Sequence, residues 1–115
     1  MVKRIVVGAH YGLRDWLMQR VTAAVMAVYT LLLAVIVLSA SPVGYVEWRA
    51  LFAAPWLRYA SLLFLISLCL HAWVGVRDIL MDYVHPPGVR LLLEVLAILA
   101  LAVYGAWSVE ILWSI

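Results

Sequence analysis

Charged side chains are scarce in this sequence, and three long stretches lack them altogether. Asp, Glu, Lys and Arg make up 12% of the 115 residues, whereas hydrophobic residues make up 69%. None of these four charged types occurs in residues 21–46, 59–76 or 95–109. A soluble domain is about half apolar, and a chain of this length cannot bury so much apolar surface. A water-soluble globular fold is therefore excluded.

Cysteine is nearly absent and the net charge is small. The single cysteine, Cys69, excludes a disulfide framework, and we expect it to face lipid or to pack inside the protein. A formal net charge of +2 does not indicate a nucleic-acid-binding surface. No signal peptide is predicted, because charged residues interrupt the apolar run that should follow Lys3 and Arg4.

The apolar sequence is sufficient for three membrane-spanning helices, each of which needs roughly 20 mostly apolar residues. Pro42 and Gly44 end the first span, and Pro86 with Pro87 separates the second from the third. The mixed segment between the first two spans suits a loop or a short interfacial helix. We predict an all-α integral membrane fold, a single membrane-anchor domain over residues 1–115. The spans are expected at about residues 16–40, 56–83 and 89–113.

The distribution of basic residues predicts the orientation in the membrane, because cytoplasmic loops carry an excess of Lys and Arg. Six basic residues flank the side of the N-terminus, and two flank the other side. The six are Lys3, Arg4, Arg14, Arg20, Arg77 and Arg90, and the two are Arg49 and Arg58. We therefore predict a cytoplasmic N-terminus and an external C-terminus.

His71 lies in the middle of the second predicted span, where an ionisable side chain is costly and is a functional candidate. Ser67 and Gly75 lie four residues before and after it, on the same helix face. These small neighbours leave room for a flat ligand such as a porphyrin held by the imidazole. A neutral histidine hydrogen-bonded to a neighbouring helix is the other interpretation. His10 and His85 lie near the membrane surface, so a second axial ligand would come from another chain.

Three polar residues near the cytoplasmic edge are further candidates. Tyr83 lies about 18 Å beyond His71 along the helix axis. A phenol at this depth ordinarily belongs to the aromatic belt, but one beside a carboxylate such as Asp82 can donate a hydrogen bond to a carbonyl while the acid relays a proton. Arg20, at the start of the first span, either extends towards the membrane surface or binds an anion such as a haem propionate.

The order and spacing of these landmarks resemble the haem-binding membrane-anchor subunit, the D subunit, of bacterial succinate dehydrogenase (succinate:ubiquinone oxidoreductase, complex II). The resemblance covers essentially the whole chain. Its most specific segments are HAWVG at residues 71–75, DYV at 82–84 before the prolines, and RDW at 14–16 with Arg20. His85 and the Arg77-Asp78 pair depart from the pattern of that family.

The resemblance implies a multi-pass subunit of the bacterial inner membrane, with no catalytic activity alone. It would pair with a second three-helix anchor, the C subunit, and hold the flavoprotein and iron–sulfur subunits. His71 would be one axial ligand of the iron of a shared b-type haem, with Arg20 near the propionates. Tyr83 would hydrogen-bond ubiquinone, with Asp82 as its acidic neighbour. The implied function is electron transfer from succinate to ubiquinone in respiration and the tricarboxylic acid cycle.

Three other functions are alternatives to electron transfer. A haem-free anchor of the fumarate reductase type is disfavoured by His71. A small proton-coupled transporter is disfavoured because residues 21–46 contain no acidic side chain. A purely structural interaction protein would bind the same partners without a cofactor.

The orientation can be tested with reporter fusions. A reporter that functions only outside the cytoplasm should be active when it is joined after Ile115, because three spans place the two termini on opposite sides of the membrane. Activity there of a strictly cytoplasmic reporter would contradict the predicted topology.

Overall fold

The structure, a computed structural model, describes residues 2–115, with side chains from Leu13 onward, and most of these residues are helical. The interpretations that involve Lys3, Arg4 and His10 lie outside the described side chains. The helices of residues 2–115 are α1 (Val2–Ala40), α2 (Tyr45–Ala53), α3 (Pro55–Tyr83) and α4 (Pro87–Trp113).

Three helices of the described chain are long and apolar enough to cross a membrane. They are Leu13–Ala40 within α1, the whole of α3 and the whole of α4. No strand occurs in residues 2–115. The predicted all-α fold with three spans is confirmed, whereas the sidedness of the termini stays a prediction.

Proline and one left-handed residue set the helix boundaries. Ser41 has a φ of 47° directly after α1, and Pro42 follows it, so the helix cannot continue. Pro55 and Pro87 each occupy the first turn of a helix, where the missing N–H would have no partner within the helix. α4 therefore begins at the second proline of the Pro86-Pro87 pair, rather than after it.

The segment between the first two spans is a short helix, α2, with no buried residue. Its start is stabilised by a hydrogen bond from the Gly44 backbone N–H to Oε2 of Glu47 at 3.0 Å. This bond is one half of the capping arrangement that satisfies a free donor at a helix N-terminus. α2 packs against α3.

α3 is the central helix and packs against both α1 and α4. Its buried residues include Leu57 and Val74, each only 1% exposed. α4 buries only Leu112, and it comes close to α3 at Gly105, where a Cβ would lie 3.7 Å from Sγ of Cys69. Cys69 is thus half-buried between the two helices. The remaining apolar surface of α4 is left to lipid or to other chains.

α1 and α3 are joined by three polar side-chain contacts, which we call the polar seam. The contacts are Asp15–Arg77, Thr22–His71 and Tyr29–Ser61. The α1 members recur every seven residues, which is the spacing at which successive residues of a helix keep facing the same partner helix. Successive α1 members are therefore about 10 Å apart along the helix axis.

The Tyr29–Ser61 contact of the polar seam is buried among apolar side chains. The two hydroxyl oxygens lie 2.5 Å apart, and the residues are only 8% and 5% exposed. The Tyr29 ring also stacks on Phe64 with 4.6 Å between ring centroids. The hydroxyl group thus has a partner at a depth where lipid could offer none.

A double-mutant cycle tests this contact. Tyr29→Phe and Ser61→Ala, alone and together, should give a coupling free energy of about 0.6 kcal/mol, with about 1.7 kcal/mol as the upper bound, as for other hydrogen bonds between membrane helices. The measurement is reversible unfolding in mixed detergent micelles. Tyr104→Phe, on the exposed face of α4, serves as the control and should change the free energy of unfolding little. A coupling free energy of zero would show that this hydrogen bond does not stabilise the packing of α1 against α3.

Candidate functional site

His71 is half-buried on α3 and faces α1. Its Nδ1 lies 3.1 Å from Oγ1 of Thr22, which is 4% exposed. This is the interhelical hydrogen bond that the structural interpretation of the histidine expects. The bond occupies only one ring nitrogen, and Nε2 has no hydrogen-bond partner in residues 13–115. The imidazole therefore keeps one position that can bind a metal.

The two small residues that flank His71 on its helix face differ in their surroundings. A Cβ built at Gly75 meets no atom within 4 Å, so the space at this position is open. Ser67, about one turn before His71, is buried and 5% exposed. Room for a ligand beside His71 is therefore found at Gly75, towards the charged end of the helix.

Residues 13–115 contain no site at which this chain alone could bind a metal ion. No group of three or more His, Cys, Asp or Glu side chains comes together in this part of the chain. His71 is a single ligand, which suits a haem with a second ligand from elsewhere and does not suit a bare ion.

Four charged side chains form what we call the charged rim, near the start of the membrane span of α1 (Leu13–Ala40) and the C-terminal end of α3. They are Asp15, Arg20, Arg77 and Asp78. Arg77 forms an ion pair with Asp15 across the two helices, and its NH2 nitrogen also lies 3.9 Å from Oδ1 of Asp78. A cavity of about 460 Å³ is lined by three members of the rim, Asp15, Arg20 and Asp78, together with Trp16 and Gln19. The Arg77 guanidinium thus lies within ion-pair distance of the carboxylates of both Asp15 and Asp78.

Arg20 is the cation of the charged rim that has no carboxylate within ion-pair distance among residues 13–115. Its guanidinium carbon lies 5.5 Å from the ring centroid of Trp16, one helical turn earlier. A cation over an aromatic face keeps its full charge and its hydrogen-bond donors. Arg20 is therefore available to an anionic group that approaches the rim.

Asp82 and Tyr83 lie at the last turn of α3, and both are exposed. The Tyr83 side chain is exposed to the same degree as that of Tyr45 at the other end of the bundle, 78% against 77%. Neither Asp82 nor Tyr83 forms a side-chain hydrogen bond or ion pair with residues 13–115. Any pocket around them needs walls from another chain.

Comparisons with known proteins identify the family of the chain. The profile of the succinate dehydrogenase/fumarate reductase transmembrane subunit family matches residues 3–106. The chain belongs to this family. It is also 38% identical over 102 residues to the succinate dehydrogenase hydrophobic membrane anchor subunit of Coxiella burnetii (strain RSA 493 / Nine Mile phase I), and the match covers 89% of each chain.

Membership in the succinate dehydrogenase/fumarate reductase transmembrane subunit family confirms the resemblance and makes the chain a multi-pass membrane subunit. Its exposed apolar helices and the bacterial source of the relative are consistent with a bacterial inner membrane.

Sequence reasoning did not identify Thr22 or the interhelical partner of Asp15. Thr22 is one of few polar residues in the stretch 21–46, and it follows Asp15 by seven residues. That seven-residue spacing indicates that Asp15 and Thr22 face the same neighbouring helix. It does not indicate which residue of that helix lies opposite each of them.

Proposed function

We propose that this chain is the hydrophobic membrane-anchor subunit of a succinate dehydrogenase, which shares a b-type haem through His71 and helps to form the site of ubiquinone reduction. The observation that carries the proposal is the arrangement of His71, whose Nδ1 is bonded to α1 while Nε2 has no partner among the side chains that the structure describes, within a membrane span. The printed name of the Coxiella burnetii relative supports the same assignment.

His71, Gly75 and Arg20 are the residues that would hold the haem. Nε2 of His71 would bind the iron, and the open space at Gly75 would take one side of the ring. Arg20 precedes Thr22 by two residues, so it lies about 3 Å from the level of His71 along α1, in the direction of the charged rim. Its charge would pair with a propionate. When bound, the haem would supply one-electron redox chemistry.

A second protein ligand to the iron would come from a different chain, since no second histidine of residues 13–115 lies near His71. A C subunit with its own membrane histidine would supply it. The exposed apolar surface of α4 and the cleft between α3 and α4 offer the area that a second anchor or lipid would cover.

The quinone site would lie at the end of α3, about 18 Å from His71 along the axis. The Tyr83 phenol would donate a hydrogen bond to a ubiquinone carbonyl, and Asp82 would relay protons as the quinone takes up two electrons and two protons. The flavoprotein subunit would oxidise succinate, and the iron–sulfur subunit would carry the electrons to this site. The exposure of both side chains supports a site completed by these partners.

The haem-free fumarate reductase type of anchor belongs to the same family description and is the alternative. A membrane histidine with one ring nitrogen that has no partner in residues 13–115, and with open space at Gly75 about one turn away, favours the haem-containing type. An absorption spectrum of the purified complex distinguishes the two. The family match gives no support to a proton-coupled transporter.

His71→Ala should remove or greatly weaken the b-type haem spectrum of the assembled complex, because it deletes the only imidazole at membrane depth in the described residues. His85→Ala is the matched control, since His85 is exposed in the turn between α3 and α4 and should leave the spectrum intact. A normal low-spin spectrum in the His71→Ala complex would show that the axial ligand has been assigned to the wrong residue.

Tyr83→Phe keeps the ring and deletes only the hydroxyl group. We expect ubiquinone reduction with succinate to fall about ten- to a hundred-fold, the effect of losing a hydrogen bond that strengthens as the carbonyl oxygen gains charge. Transfer from succinate to a soluble artificial acceptor should stay nearly unchanged. Asp82→Asn should act in the same direction.

Tyr45→Phe provides the control for the tyrosine experiment, because Tyr45 is equally exposed but lies in α2, at the opposite end of the bundle. It should leave both rates unaltered. Equal losses with both acceptors in Tyr83→Phe would indicate damaged assembly. An unaltered rate with ubiquinone would place Tyr83 in the aromatic belt.

A further inference from the structure

Thr22 has a hydrogen-bonding arrangement that determines which nitrogen of His71 carries the proton. Its Oγ1 lies 2.7 Å from the carbonyl oxygen of Met18 and 3.2 Å from that of Gln19. The same atom lies 3.1 Å from Nδ1 of His71. The residue is 4% exposed, so water does not compete for these contacts.

A threonine hydroxyl has one hydrogen to donate and two lone pairs that accept. A carbonyl oxygen can only accept, and the shortest of the three contacts is the one to Met18. The hydroxyl hydrogen therefore goes to the backbone of α1, and a lone pair faces His71. Nδ1 must then be the donor, and Nε2 has the free lone pair. The opposite tautomer would place a hydrogen on the nitrogen that is needed to bind a metal.

We propose that Thr22 is a positioning residue for the haem ligand: it selects the tautomer of His71 that binds iron through Nε2 and fixes the orientation of the ring. This inference rests on the proposed function, because it assigns a role to the hydroxyl only if His71 binds iron. Thr22 acts through the imidazole, and no contact between Thr22 and the haem is required.

The hydrogen bond also changes the electronic character of the ligand. An acceptor at Nδ1–H makes the imidazole a stronger electron donor to a bound metal, as carboxylates and carbonyl groups do for other metal-bound histidines. A stronger donor stabilises the ferric state relative to the ferrous state. Loss of the acceptor should therefore raise the midpoint potential of the haem.

Thr22→Val tests the inference in the full complex, because valine keeps the shape and removes the hydroxyl group. The midpoint potential should rise by up to about 59 mV, the equivalent of a tenfold change in a one-electron equilibrium. The electron paramagnetic resonance signal of the ferric haem should shift as the ring orientation loosens. Thr22→Ser restores the hydroxyl group and should return both quantities towards wild type.

Thr30→Val is the matched control. Thr30 lies on the same helix, and its hydroxyl donates to the carbonyl oxygen of Met26 at 2.8 Å, four residues earlier, but it is exposed and has no histidine beside it. Its replacement should leave the potential and the resonance signal as in wild type. If Thr22→Val does not assemble, Thr22→Ala is measured against the same control.

Two results would overturn the role of Thr22 and leave the proposed function standing: a hydroxyl-free variant with wild-type potential and signal, or a Thr22→Ser complex that shifts as far as Thr22→Val. A wild-type complex without haem, or a haem spectrum that survives His71→Ala, would instead contradict the haem assignment itself, and the inference would fail with it.

Discussion

The absence of water within the membrane is the constraint on which this structure depends, because a polar side chain at that depth is costly unless the protein supplies it with a partner. The polar seam between α1 and α3 is the result. Tyr29 bonds Ser61 and Thr22 bonds His71, while an ion pair joins the two helices at the charged rim. The contacts recur at heptad spacing along α1, so one packing geometry satisfies them all.

The same seam prepares the groups that are proposed to act. Because α1 occupies one nitrogen of His71, the ring has a fixed direction and a single free ligand position. Because Arg77 pairs with Asp15, Arg20 keeps its charge for an anion at the rim. A structural role and a functional role are thus compatible for the half-buried His71. The hydrogen bond that joins α1 and α3 also orients the imidazole that is proposed to bind iron.

Particular residues show how far sequence reasoning reaches. The prolines predicted where the helices separate, and the charge-free stretches predicted the three spans. In the sequence, Ser67 and Gly75 are equivalent small neighbours of His71, but in the structure Ser67 is buried and Gly75 borders open space. Helical periodicity places both on one face of α3, but it contains no information on how closely another helix approaches each of them.

The sequence by itself determined the membrane class, the number of spans and the family, because hydropathy, turn residues and motif spacing are local properties of the chain. It also singled out His71, Arg20, Asp82 and Tyr83, since polar groups are rare in so apolar a protein. Only the tertiary structure decided which side chains meet across helices. The Thr22–His71 bond joins residues 49 positions apart, and the Asp15–Arg77 pair joins residues 62 positions apart. Such pairings depend on the rotation and axial offset of two packed helices, which side-chain packing sets and neither helix encodes alone.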